Sequence, residues 1–313
     1  MDKPKNWEEL KKWLNIQDDS SNTQNKNKLD KFELVYDAIW KCEEDWFTDN
    51  NLLDLLKGIK ECEICVTANN VYRILTLFKK KNPNLKFNNI SKYAWELIKD
   101  NSFTNYEGKN ASWHGFCNLL ELLNDNLVLD DVLKKIRSFT ILQMTNLLII
   151  WNKKNTKKKE DAAVILARVK DVSDEPSERA VHMALLLEQL NKICKLSELD
   201  DSKNISGWIL SKLHEYQPVN DMCSLAKQLK HCLTADHATT ILEKTSSDSA
   251  ECIYELIEQL PLGKSHCKLI FKKLSESKAG ALLKLVDKLV EIGFKFGRDN
   301  YEKVLGYLVM VKL

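Results

Sequence analysis

Residues 233–260 read LTADHATTILEKTSSDSAECIYELIEQL, and residues 262–289 read LGKSHCKLIFKKLSESKAGALLKLVDKL. The two align without a gap at an offset of 29. Leu233, His237, Ile241, Lys244, Ser246, Ala250, Leu256 and Leu260 are matched by identical residues at 262, 266, 270, 273, 275, 279, 285 and 289. A unit of this length holds two helices of about three turns each and two tight turns. Neither helix can bury its apolar stripe alone, but a stacked neighbour covers it. The expected fold is therefore all-α: a helical-repeat, α-solenoid-like array of short helix pairs, with a ~29-residue period in the C-terminal half.

Working backwards, Ala162, Ile165, Val169 and Val172 fall 88 residues before Ala250, Ile253, Ile257 and Leu260, close to three periods. Residues 142–151 align with 233–242 only at an offset of 91, which requires an indel of three. Ile209/Leu213 and Leu225/Leu229 fit a period nearer 28. Helix starts are expected at Thr234, at Asp248-Ser249 and at Ser177 after Pro176. The apolar segment 301–313 reads as the last packed helix.

Further upstream the apolar residues keep helical spacing in a less regular order. Phe32, Val35, Ala38, Ile39, Cys42 and Trp46 form one stripe, Leu52, Leu55, Leu56, Ile59 and Cys62 the next. Val71, Ile74, Leu75 and Phe78 follow, then Ile90, Tyr93, Ala94 and Leu97. No segment alternates apolar and polar residues, so strands are not expected. The expected organisation is an N-terminal amphipathic helix over 1–14 and a polar flexible linker over 15–28. An irregular α-helical region over 29–137 and the helical-repeat region over 138–313 complete it.

Composition supports helix and narrows the setting. Only 9 Gly and 5 Pro occur in 313 residues, too little punctuation for an all-β fold. A hydrophobic share of 44% allows a real core, and the net charge of +2 sets up no global field for nucleic acid. Nine cysteines at irregular spacing suit reduced core positions and a cytoplasmic protein, or one delivered into a host cytosol. The start MDKPKNWEEL has no apolar leader, and the run at 147–151 is far short of the ~20 residues a membrane helix needs. Membrane insertion is not expected.

The runs FNNISKYAWELIKDN (87–101) and FTILQMTNLLIIWNKKN (139–155) resemble the helix motif of octotricopeptide-type repeats, some families of which bind RNA. The resemblance covers about thirty residues, and a 29-residue period is shorter than that family's repeat. It carries no functional residue onto this chain.

Chemistry-bearing residues are few. Cys62-Glu-Ile-Cys65 and His114-Gly-Phe-Cys117 together have the donors of a Cys₃His zinc site. Cys62 also continues the Leu55/Ile59 stripe, so core packing is its expected role and no cofactor is expected. His237 and His266 occupy equivalent positions one unit apart. Packed helices lie ~8–10 Å apart, so these two read as cap, turn or interface residues. No phosphate-binding glycine loop or HExxH pattern is present. Lys153, Lys154, Lys157, Lys158 and Lys159 fall in one inter-helix loop that is able to meet phosphates or an acidic surface. Trp7 and Trp13, ahead of the linker, are candidate partner anchors. The leading expectation is a non-catalytic adaptor or scaffold binding a protein partner through a groove of exposed polar and aromatic residues. The competing expectations are an RNA-binding repeat protein using the lysine loop, and an enzyme with its site near His114 and Cys117.

Overall fold

The computed structural model describes residues 7–13, 27–61, 67–87, 90–98, 101–102, 110–123, 127–153, 159–172, 178–199, 202–275 and 277–310. The chain divides into two compact units, residues 1–140 and 141–313. Among the described residues the first holds α1 (Trp7–Trp13), α2 (Asn27–Trp40), α3 (Asp49–Glu61), α4 (Ala68–Lys81), α5 (Ser91–Leu97), α6 (Asn110–Leu123) and α7 (Leu129–Lys134). The second holds α8 (Ile141–Trp151), α9 (Lys159–Val172), α10 (Ala180–Asn191), α11 (Ser202–Lys212), α12 (Val219–Leu229), α13 (Ala235–Lys244), α14 (Ala250–Ile257), α15 (Cys267–Lys272), α16 (Ala279–Glu291) and α17 (Arg298–Met310). The fold is all-α, and no described helix is long and apolar enough to cross a membrane.

Helices pack on the next but one along the chain. In the first unit α1 meets α3 and α3 meets α5, while α2 meets α4 and α4 meets α6. In the second, α8, α10, α12, α14 and α16 touch in succession, and so do α11, α13 and α15.

Two burial registers account for this alternation. Most even-numbered helices bury positions 0, +3, +6, +7 and +10: Ala68, Val71, Ile74, Leu75 and Phe78 in α4, Ala180, Met183, Leu186, Leu187 and Leu190 in α10, Val219, Met222, Leu225, Ala226 and Leu229 in α12. The same five points fall on Phe32, Val35, Ala38, Ile39 and Cys42 from α2 into its C-terminal turn, and on Ala250, Ile253, Leu256, Ile257 and Leu260 from α14. Helix α16 keeps only +3, +6 and +10 of these fully buried, at Leu282, Leu285 and Leu289. Odd-numbered helices bury 0, +3, +4 and +7: Leu52, Leu55, Leu56 and Ile59 in α3, Ala162, Ile165, Leu166 and Val169 in α9, Cys267, Ile270, Phe271 and Leu274 from α15. At ~100° per residue the first register is a three-turn stripe and the second a two-turn stripe. The odd helices α5, α7 and α15 accordingly need only 7, 6 and 6 residues.

The spacing differs from the expected 29. Helices α8, α10, α12, α14 and α16 begin at 141, 180, 219, 250 and 279, intervals of 39, 39, 31 and 29. In the first unit α1, α3 and α5 begin at 7, 49 and 91, both intervals being 42. The 29-residue interval thus belongs to the last helices alone. The first unit buries its helices in the same two registers; what differs there is the length of chain between them.

Short parallel backbone bridges tie each layer to the other. Glu178 bridges Leu213, Gln217 bridges Thr245, and Asp248 bridges Leu274. In each case the segment entering an even helix pairs with the segment leaving the next odd helix. Gln217 N–H donates to the Lys244 carbonyl at 2.7 Å and the Gln217 carbonyl accepts from Ser246 N–H at 2.8 Å; the Asp248 N–H and carbonyl do the same with Lys273 and Ser275 at 2.9 Å each. The first unit has an equivalent in β1 (Asn101–Ser102), upstream of α6, which lies parallel to β2 (Ile136–Ser138), just after α7.

Starts follow the expected chemistry at Thr234, which accepts from His237 N–H, and at Ser249, which accepts from Cys252 N–H. Such a cap contributes about 1 kcal/mol. Ser177 lies outside the described residues. The stripe of α5 is rotated from the expected one: Ser91, Ala94, Trp95 and Ile98 are buried, with Tyr93 and Leu97 only half-buried. Trp95 draws the helix round by donating its indole N–H to the Asp131 carbonyl at 3.1 Å and packing on Phe116. In α17, among the described side chains, Val304 packs inward, while Tyr301 and Leu305 are exposed.

Candidate functional site

The residues repeated at the 29-residue offset turn out to be joints between helix pairs. His237 Nδ1 accepts from Thr234 N–H at 3.2 Å, closing a reciprocal cap at the start of α13. His266 does the same one unit on, accepting from Gly263 N–H at 2.9 Å, and its Nε2–H donates back to the Ala235 carbonyl at 3.0 Å. Lys244 Nζ donates to the Leu213 carbonyl, where α11 ends, at 2.6 Å. Lys273 Nζ donates to the Glu243 and Thr245 carbonyls, where α13 ends, at 3.0 and 2.5 Å. Each ammonium sits where a helix terminus concentrates unpaired carbonyls and partial negative charge. Burial pushes the Lys273 ammonium below its ordinary range, with Glu243 opposing the shift. Lys135, just beyond α7, reaches the Glu96 and Ile98 carbonyls at the end of α5 in the same way.

Gln217 completes the joint at the other end of the helices. Its side chain is buried, accepts from Ala180 N–H at 2.9 Å and donates to the His214 carbonyl at 3.1 Å. Ser277 performs the same service for Ala250 N–H at 2.8 Å. These polar residues therefore act within the fold.

The sequence-derived metal set is split by what the structure describes. Cys62 and Cys65 lie outside the described residues. His114 is exposed on α6, and Cys117 is half-buried three residues on. Burial and the nearby Glu121 push the Cys117 thiol up to about 12, so its surroundings favour the protonated form. The HGFC tetrapeptide has a packing role: a Cβ on Gly115 would lie 2.6 Å from Asn69 Cβ, so α6 approaches α4 at that point. Phe116 beside it lies between Trp95 and Trp113, with centroids at 5.1 and 5.5 Å. No group of three metal-ligating side chains occurs among the described residues.

Lys153 is exposed in the turn after α8 and Lys159 is exposed at the start of α9; Lys154, Lys157 and Lys158 lie outside the described residues. Helix α1 packs on α3 with Leu10 fully buried, so this helix rests on its own unit. The side chains of Trp7 and Trp13 lie outside the described residues.

What remains is the surface that the even helices of the second unit turn away from the odd layer, positions +1, +5 and +8 of the five-point register. On α8 these are Leu142, Asn146 and Ile149, and on α10 Val181, Leu185 and Glu188. Leu142 and Ile149 are 43% exposed and Leu185 is 37% exposed. On α12 they are Asn220, Ser224 and Lys227, on α14 Glu251, Glu255 and Glu258, and on α16 Gly280, Lys284 and Asp287. The face passes from aliphatic through polar to acidic across adjacent helices, without the exposed aromatics expected of it. Sequence periodicity marks these positions as non-core, but which of them share a surface depends on which helices are neighbours. No protein-family model matches the chain, and neither a curated protein nor a solved structure matches it.

Proposed function

We propose that this protein is a non-catalytic helical-repeat adaptor or scaffold, an α-solenoid-like array of helix pairs that binds a protein partner. The observation that carries the reading is the recurrence of two burial registers in alternating helices, each meeting the next of its kind. Such an array presents one face of every second helix side by side, and the chemistry along that face is free to vary without touching the core. The step from architecture to partner binding is by analogy with other arrays of this kind.

Charge favours a protein partner over RNA. An RNA groove needs cations in sequence along the face. Here Lys227 and Lys284 are separated by the three carboxylates of α14. The described cysteines are free thiols, which suits a reducing cytoplasm.

The test is affinity purification of the tagged full-length protein from lysate, with and without nuclease, read by mass spectrometry. A stoichiometric protein that survives nuclease is the expected result. Recovery that depends on nucleic acid would overturn the reading and shift attention to Lys153 and Lys159.

A further inference from the structure

The outward face of the second unit has two chemically opposed regions. At one end Leu142 and Ile149 lie two turns apart on α8, and Leu185 stands on the adjoining α10. All three are substantially exposed aliphatic side chains on touching helices, so they form one patch and not scattered surface residues. Further along the face Glu251, Glu255 and Glu258 fill every outward position of α14, followed on α16 by Gly280, Lys284 and Asp287. Glu258 accepts the Tyr254 hydroxyl at 3.0 Å, while neither Glu251 nor Glu255 forms an ion pair among the described residues. On neighbouring α16, Lys288 pairs with Glu291 at 3.0 Å and also feels the charge of Glu258, and Lys284 is the one cation among the outward positions of that helix, so the carboxylates of α14 outnumber it.

Resting on the adaptor reading above, we infer that this face takes an amphipathic basic segment of a partner protein, with apolar side chains over α8 and α10 and Lys or Arg side chains over α14. Helix α12 lies between, contributing Asn220 and Ser224. Neighbouring helix axes are ~8–10 Å apart, so α10 and α14 are separated by roughly 16–20 Å. A bound helix covers that distance in about 11–13 residues at 1.5 Å each. Apolar contact supplies the anchor, and the carboxylates fix the direction in which the segment lies and speed its capture. A negatively charged ligand, nucleic acid included, is repelled over α14.

The probe is a phage-displayed library of random 16-residue peptides selected on the full-length protein. Enriched peptides are expected to join a Leu, Ile, Met or Phe cluster to two or more Lys or Arg residues. Their binding falls at least tenfold on Glu255→Lys and on Leu185→Asp, is unchanged on Asp171→Lys on α9, and weakens as salt is raised. All three positions are at the surface, and circular dichroism checks that the variants fold. An empty selection, or peptides indifferent to both Leu185→Asp and Glu255→Lys, overturns the assignment of this face. The adaptor reading fails separately, through nuclease-sensitive recovery.

Discussion

The two units bury their helices in the same registers but join them with different materials. In residues 1–140 the joints are largely aromatic: Trp46, Phe47 and Phe78 meet with ring centroids 5.0 to 5.7 Å apart, and Trp95 and Trp113 flank Phe116. In residues 141–313 the core is mainly aliphatic and the joints are hydrogen-bonded, through Gln217, Lys244, His266, Lys273 and Ser277. An aromatic cluster fills volume in many ways, so it leaves no recurring letters in the sequence. A lysine that must reach one carbonyl has a fixed place, and its recurrence is visible. Packing can therefore repeat where the sequence does not.

That contrast is most open to attack at Phe78, which is fully buried and touches both Trp46 and Phe47. Replacement by Ala is expected to cost about 3–5 kcal/mol, from lost burial plus the cavity left behind. Urea unfolding followed by tryptophan fluorescence reads it, since Trp46 sits in the cluster. A loss below about 1 kcal/mol would mean the aromatic joint is not what holds the first unit.

In the second unit Gln217→Ala removes almost no apolar contact but strands the buried Ala180 N–H. The expected cost is about 1–3 kcal/mol, the penalty of an unsatisfied buried donor. Hydrogen exchange should localise the damage to the starts of α10 and α12. Uniform protection across the variant would contradict a polar joint.

The smallest effect is expected in alkali. Cys117 keeps its proton in the folded protein up to about 12, whereas an unfolded thiol ionises near 9. A raised folded value means the contribution to stability is complete below the unfolded value and disappears as pH rises through that window. By pH 10 the wild type should have lost about 1 kcal/mol through this group. Cys117→Ala should flatten the fall of stability between pH 8 and pH 10 in thermal melts. An unchanged slope would place Cys117 in contact with water.

Much of this architecture was readable before the structure, and the errors have a common cause. The stripes of α2, α3 and α4 were visible because Leu, Ile, Val and Phe occupy their buried positions. The backward extension of the period matched Ala162, Ile165 and Val169 of α9 to Ala250, Ile253 and Ile257 of α14, an odd helix to an even one. Both registers contain positions 0, +3 and +7, and they differ only in whether +4 or +6 and +10 are also buried. Apolar residues at 0, +3 and +7 do not reveal the layer, and in α9 Val172 is apolar at +10 as well, so the composition imitates the even register. Residues 142–151 were matched to 233–242 for the same reason. Where a register point is polar, as at Ser91, Ser206 and Thr245, composition hides it altogether. The equivalence of His237 and His266 at a helix-pair spacing leaves cap, turn and interface roles open, and the hydrogen bonds from Thr234 and Gly263 N–H select the cap. The outward face was not legible, since Leu142, Leu185 and Glu255 become neighbours only through the alternation of helices.

The backbone bridges give the second unit a mechanical grain. Each ties the entrance of one even helix to the exit of the following odd helix, so the ties follow one another along the chain without overlapping and each encloses a single pair. Tension on the C-terminus meets Asp248–Leu274 first, then Gln217–Thr245, then Glu178–Leu213. Residues 274, 245 and 213 are 29 and 32 residues apart, so the first two ruptures release roughly 100 and 110 Å of chain at ~3.4 Å per residue. Under load this half of the molecule lengthens in counted steps, and on relaxation each pair has its own tie to find again.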